Sequence, residues 1–174
     1  MKYTYLFLIS IIFYSCTAPS VKPAASYIDL KSFFQSEAQR LSKLNKPVEK
    51  TVSRNQVSQT KKLTGIDWAN ELTLFTESDI NKPAWRDSYK TIHKPGELIY
   101  LALDSNLRTR KIRIKENENG RIQEVEILNY TKNQLYSSKE HLIYITDSLY
   151  RIDKQQHVLL LGDNRYEISG KIKF

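Results

Sequence analysis

Two periodicities divide the chain. Between residues 30 and 44 apolar side chains recur at helical spacing (Leu30, Phe33, Phe34, Ala38, Leu41, Leu44), and from Ser88 onward they alternate with polar ones at period two. The first stretch predicts an amphipathic helix. It opens on a capping-box spacing at Ser26-Tyr27-Ile28-Asp29, with Asp in place of the usual Glu or Gln, and stops at Asn45-Lys46-Pro47. A second helix is expected after an Asp67 N-cap, with Trp68, Leu72 and Phe75 aligned on one face. Between the two, residues 48–62 alternate loosely and read as a polar hairpin turning at Arg54-Asn55-Gln56. Residues 79–87, with Pro83 and Trp85, form a connecting loop that tucks Trp85 against the core.

In the period-two half, Leu98 to Leu103 is continuously apolar, as in a central strand covered on both faces. Asn119-Gly120 is a strong hairpin signal. A two-residue turn there sets Ile112 opposite Ile127, Ile114 opposite Val125, Arg113 opposite Glu126 and Lys115 opposite Glu124, with Glu118 against Arg121 beside the turn. Every pair is chemically matched, so the basic run Arg108 to Lys115 reads as a neutralised sheet face. Residues 135–145, 149–152 and 158–161 continue the meander. Gly162-Asp163-Asn164 reads as a turn, and Tyr166, Ile168, Ile172 and Phe174 alternate with polar residues to the end. The expected fold class is α+β: N-terminal helices packed on one face of a twisted antiparallel sheet of about six to eight strands, a meander that can take a half-barrel form.

The first residues follow neither period. Lys2 precedes an almost uninterrupted apolar run from Leu6 to Phe13, and Ser15 stands directly before Cys16, the single cysteine. Such a run is too short to cross a bilayer core, which takes roughly 20 helical residues. It has the layout of an export signal. Phe13-Tyr14-Ser15-Cys16 resembles the lipobox of bacterial lipoproteins. That resemblance implies a diacylglyceryl group on the Cys16 thiol, cleavage before it and acylation of the new N-terminus. Ordinary secretory cleavage after Ala18 is the alternative. Residues 1–15 are then the signal, 16–26 the lipidated cysteine and a Pro-containing tether, and 27–174 one globular domain. Helix followed by a long meander is also similar to periplasmic lipoprotein carriers and receptors at the level of fold. The implied location is the cell envelope, lipid-anchored, with the outer membrane facing the periplasm as the default.

Charge alters this picture in one place. The formal net charge is +8, and residues 40–62 hold seven basic residues (Arg40, Lys43, Lys46, Lys50, Arg54, Lys61, Lys62) against one acid, Glu49. Of these, Arg40, Lys43, Lys46, Lys50 and Arg54 are candidates for contact with an anionic surface. The plainer reading is a solvated face. Nucleic acid is a poor third and is not expected as a partner, since an exported lipoprotein rarely meets it and residues 40–62 hold no aromatic for a base to stack on.

Catalytic signals are lacking. His93, His141 and His157 stand far apart without metal-ligand spacing, Ser148 has no nucleophile elbow, and the 5 glycines form no phosphate loop. Asp67 and Glu71 share a helix face, but a first helical turn favours carboxylates without chemistry. No catalytic residue, metal or cofactor is assigned. The expected function is that of a non-enzymatic, membrane-anchored envelope lipoprotein with an interaction or structural domain, whose partners are the membrane and an unknown envelope protein or lipid. The alternative is a carrier or receptor that takes an apolar ligand between sheet and helices, in a hollow between Phe33, Phe34, Leu41 and the strand Leu98 to Leu103.

Overall fold

The computed structural model describes residues 27–173. The signal, Cys16, the tether, Ser26 and Phe174 lie outside the described residues. In chain order the elements are helix α1 (Leu30–Leu44), strands β1 (Val48–Arg54) and β2 (Val57–Leu63), one-turn helices α2 (Trp68–Glu71) and α3 (Thr73–Thr76), and a 3-10 turn at Pro83–Trp85. Seven strands follow: β3 (Tyr89–Lys94), β4 (Glu97–Ala102), β5 (Thr109–Glu116), β6 (Ile122–Lys132), β7 (Tyr136–Ile145), β8 (Leu149–Val158) and β9 (Gly162–Ile172). All nine strands form one open antiparallel sheet, in the order β2-β1-β9-β8-β7-β6-β5-β4-β3. The meander from β3 to β9 is local, whereas β1 reaches across the chain to pair with β9.

The sheet dominates. Of the expected α+β class, the structure bears out the coarser part, a sheet-dominated antiparallel fold. Among the described residues α-helix is confined to the 15 residues of α1 and two single turns, because the second amphipathic stretch breaks at Leu72. Asp67 does cap α2, accepting from Asn70 N at 3.1 Å. At α1 the cap is Asp29, which accepts from Ser32 N at 2.8 Å and so takes the role assigned to Ser26. Asn45 ends α1 in the left-handed conformation (φ 45°), donating its N–H to Leu41 O.

Turn chemistry explains where strands begin and end. Asn55 and Gln56 both have positive φ (48° and 76°), so the polar hairpin closes through the two-residue turn whose twist suits antiparallel strands. At Asn119-Gly120 only Gly120 is left-handed (φ 71°). Gly120 N donates to Asn117 O, Asn117 N donates to Arg121 O, and a bulge between Lys115 and Glu116 restores the register. Ile112↔Ile127, Arg113↔Glu126, Ile114↔Val125 and Lys115↔Glu124 are therefore paired as expected. The turn itself is three residues, and Arg121 pairs with Asn117 in place of Glu118. Of residues 158–161, Val158 closes β8, and 159–161 are a turn, not a strand. Gly162, at φ 75°, opens β9 instead of a turn, and pairs with Val158.

The apolar run that starts at Leu98 falls in β4, which stops at Ala102 before Leu103; β4 lies next to edge strand β3 and is not central. Ile99 and Tyr100 are buried on opposite faces, while Leu103 is exposed. The turns β1–β2, β4–β5, β6–β7 and β8–β9 share one end of the sheet, here the tip end. Turns β3–β4, β5–β6 and β7–β8 share the other, the base end.

Candidate functional site

The inner face of the sheet carries Tyr100, Ile112, Ile114, Val125, Ile127, Leu142, Tyr144, Tyr150 and Ile152, all buried. An aromatic cluster fills the space above them. Phe34 from α1 lies 5.3 Å from Tyr144 and 5.0 Å from Phe75 between ring centroids, and Trp68 lies 5.8 Å from Tyr150. Phe33 meets both Phe34 and Tyr144 edge-on. Edge-to-face packing of this kind is dense and favourable. Phe34 and Leu41 are essentially inaccessible to solvent.

Both buried tyrosines end on a carboxylate. Tyr144 donates to Glu37, which Arg40 also grips at 2.8 Å, and Arg40 reaches Asp147 at 2.6 Å. Tyr150 donates to Glu71 at 2.6 Å, and Lys50 pairs with the other oxygen of Glu71. Burial first, and the facing carboxylate second, push both phenols far up, so they remain neutral donors. Burial pulls Glu37 up, but the hydrogen bonds from Arg40 and Tyr144 outweigh it and hold the carboxyl below its ordinary range.

A second polar cluster lies on the inner face toward the tip end. Glu140 on β7 is buried, with Arg108 at 2.8 Å, Lys154 at 3.1 Å and Asn129 Nδ2 at 3.2 Å. Asn129 also donates to Ser78 Oγ at 2.9 Å. Burial raises the Glu140 carboxyl, yet Lys154 and Arg108 together pull it below the carboxylate norm. Among the described residues, Asn129 Oδ1 and Ser138 Oγ are buried without a hydrogen-bond partner. Nothing in the sequence marked this cluster, because its members come from the 78, 108, 129, 140 and 154 regions. Only the register of Asn129↔Glu140 and Glu140↔Lys154 brings them together.

The outer face is an ionic lattice. Arg113 pairs with Glu97, Glu124 and Glu126, and Lys115 with Glu124, which neutralises the basic run as expected. His141 Nε2 lies 2.8 Å from Glu126 and His157 Nδ1 2.8 Å from Asp163, while His93 sits on edge strand β3. The three histidines do not meet. Among the described residues no group of three or more His, Cys, Asp or Glu is placed to hold a metal ion.

The basic segment does not gather into one patch. Arg40 is engaged at the base end and Lys50 within the inner layer. Lys43 lines a groove of about 730 Å³ between α1 and α2–α3, whose floor is Phe34 and Ala38 and whose walls include Gln39, Asp67 and Thr73. Lys46 is exposed, and Arg54 lies over the Tyr166 ring at the tip end. The strand between Lys46 and Arg54 separates these cations by roughly 20 Å. Cys16 lies outside the described residues. Among the described residues no helix is long and apolar enough to cross a membrane.

The least expected surface feature is at the tip end. Leu159, Leu160 and Leu161 are exposed in the β8–β9 turn, with exposed Leu135 beside them. Read as strand residues, these leucines gave no sign of exposure. The later Gly162, which takes the left-handed position that ends a three-residue loop, was the available signal.

No protein-family model matches the sequence, and no curated protein matches it.

Proposed function

We propose that this chain is a membrane-anchored lipoprotein of the cell envelope, with a non-enzymatic interaction or structural domain that faces the periplasm, the outer membrane being the favoured site. The anchor rests on the Ser15-Cys16 context. We read α1, α2 and α3 as one layer over the inner face, and the open sheet as akin to the half-barrel of lipoprotein carriers, because Phe34, Trp68 and Phe75 all meet sheet tyrosines or one another through their rings.

The observation that carries the module reading is the filled aromatic layer. A carrier of acyl chains needs an apolar void between sheet and helices. Phe34, Phe75 and Tyr144 occupy that volume here. The carboxylates that burial would make into acids or bases are instead held ionised by cations, Glu37 by Arg40 and Glu140 by Arg108 and Lys154. That arrangement suits a rigid scaffold.

The carrier reading keeps one opening, the groove floored by Phe34 and Ala38, whose volume is within the range of small-ligand sites. Its exposed lining is mainly apolar, with polar groups of Gln39, Lys43, Asp67 and Thr73 among it, which suits an amphiphile.

Mass spectrometry of the full chain extracted from membranes, native and then denatured, tests both readings. The expected result is an acylated N-terminus at Cys16 and no additional mass in the native spectrum. A stoichiometric amphiphile would replace the module by the carrier. An unacylated chain, or a Cys16→Ser variant that still pellets with membranes, would overturn the anchor.

A further inference from the structure

Leu159, Leu160 and Leu161 are exposed at 61%, 91% and 78%, and neighbouring Leu135 at 65%. Solvated turns are built from Gly, Asn, Asp, Ser and Pro, and a run of exposed leucines is an aggregation hazard unless it meets something. The backbone fixes them in place. Leu161 N donates to Val158 O and Leu159 N to Leu135 O, each at 3.0 Å. Val158 pairs with Gly162, so the leucines cannot turn inward without breaking the β8–β9 register.

We propose that this turn is a membrane-insertion tip. Leu159 to Leu161, with Leu135, enter the outer part of a phospholipid layer and hold the domain tip end down on the bilayer. Three observations favour lipid over protein. The leucines stand exposed on a hairpin turn at the end of the sheet, and a fluid acyl layer admits such a tip without a matching pocket. Exposed cations flank it at the same end, Lys132 beside the β6–β7 turn and Arg54 and Arg165 on adjoining strands, suited to anionic headgroups. Asp163 is the hairpin's carboxylate nearest the turn, and it faces His157 at 2.8 Å.

The third observation is where the described chain starts. Tyr27 donates to Arg86 O at 2.6 Å and packs on Tyr89, and Tyr89 pairs with Ala102 at the tip end. The segment that leads to Cys16 therefore joins the domain at the end that carries the leucines. From β4 to the β8–β9 hairpin is roughly 20 Å at the usual strand spacing. The ten residues from Thr17 to Ser26 reach up to ~30 Å when extended. One bilayer can hold both the anchor and the tip. This orientation rests on the proposed anchoring, whereas the leucine contact has its own readout.

The test uses the full chain with Leu160→Cys, labelled with an environment-sensitive nitrobenzoxadiazole dye. The chain is reconstituted in phosphatidylethanolamine vesicles containing phosphatidylglycerol, and an Asn119→Cys companion reports from the base end. Mass spectrometry establishes whether Cys16 is acylated and thus not labelled. The expected result is blue-shifted emission at position 160, quenched several-fold by doxyl-labelled lipids, with water-like emission at 119. Adding Leu159→Ser and Leu161→Ser should abolish most of the quenching at 160.

Water-like emission at 160 on a chain that sediments with vesicles overturns the tip and leaves the anchor standing. Lipid quenching at 160 on a chain lacking the acyl group upholds the tip and removes the anchor. A blue shift at 160 without lipid quenching means contact with another protein surface, a second copy included, and overturns the proposal. Equal quenching at 160 and 119 does the same, since it means adsorption without orientation.

Discussion

Gly170 lies directly beneath the ring of Tyr150: a methyl group at Gly170 would come within 2.1 Å of Tyr150 Cε1. The two residues are cross-strand partners on β9 and β8. Removing the side chain from one strand lets the ring of the other lie down across it, so that the Tyr150 hydroxyl reaches Glu71 and the ring meets Trp68. The glycine is needed for a close approach, not for an unusual turn.

Gly170→Ala is expected to displace the Tyr150 ring, strain its bond to Glu71 and destabilise the domain by about 1–3 kcal/mol, the usual range for overpacking. Urea unfolding of the variant measures it. A stability equal to wild type would show that the ring moves aside freely.

Glu140 links pH to stability. Its folded-state carboxyl is held below the ordinary carboxylate range by Lys154 and Arg108 despite burial. In acid the unfolded chain therefore takes up this proton first, and stability rises with pH through that window. The contribution is present above the ordinary range near pH ~4.3 and is lost as pH falls toward the folded value. Glu37 and Glu126 are lowered as well and act in the same direction. Glu140→Gln should cost about 2–3 kcal/mol at neutral pH, because Arg108 and Lys154 lose their carboxylate, and should flatten the acid limb. Denaturation midpoints from pH 3 to pH 7 provide the check.

The basic residues of the 40–54 segment should separate by position. Lys50→Glu places a second carboxylate against Glu71 and Tyr150, and a loss of about 2–3 kcal/mol is expected in thermal or urea unfolding. Lys43→Glu and Lys46→Glu change exposed sites and should stay within about 0.5 kcal/mol of wild type. The same pair should leave unchanged the way vesicle binding responds to phosphatidylglycerol content, because α1 ends near the base of the sheet, away from the tip. A weakened response would restore the segment as a headgroup contact.

Asp29 is the cap that starts α1, bonding both the backbone and the hydroxyl of Ser32. Asp29→Ala should lower stability by about 1 kcal/mol, and Asp29→Asn by less, since Asn retains a capping oxygen. Helical circular dichroism through the melt separates local fraying of α1 from global loss.

Local rules carried much of the reading. The spacing of Leu30, Phe34, Ala38 and Leu41 determined α1, since one stripe of a helix must be dry. Matched pairs such as Ile112 with Ile127 and Arg113 with Glu126 determined the β5–β6 register, because a one-residue slip would move every side chain to the other face. Tertiary structure decided what depends on distant partners. The run at Leu98 to Leu103 was apolar enough for a central strand, yet β1 rather than β3 adds to the far side of the meander, which leaves β4 next to an edge. Leu159 to Leu161 had strand propensity, and the left-handed Gly162 turned them out to solvent. Burial of Glu140 was invisible because its two cations stand 32 and 14 residues away in the chain and arrive only through sheet pairing. Periodicity along a chain encodes which face of an element is dry; which elements become neighbours, and hence which charges meet and which leucines stay bare, is settled by the global arrangement of the strands.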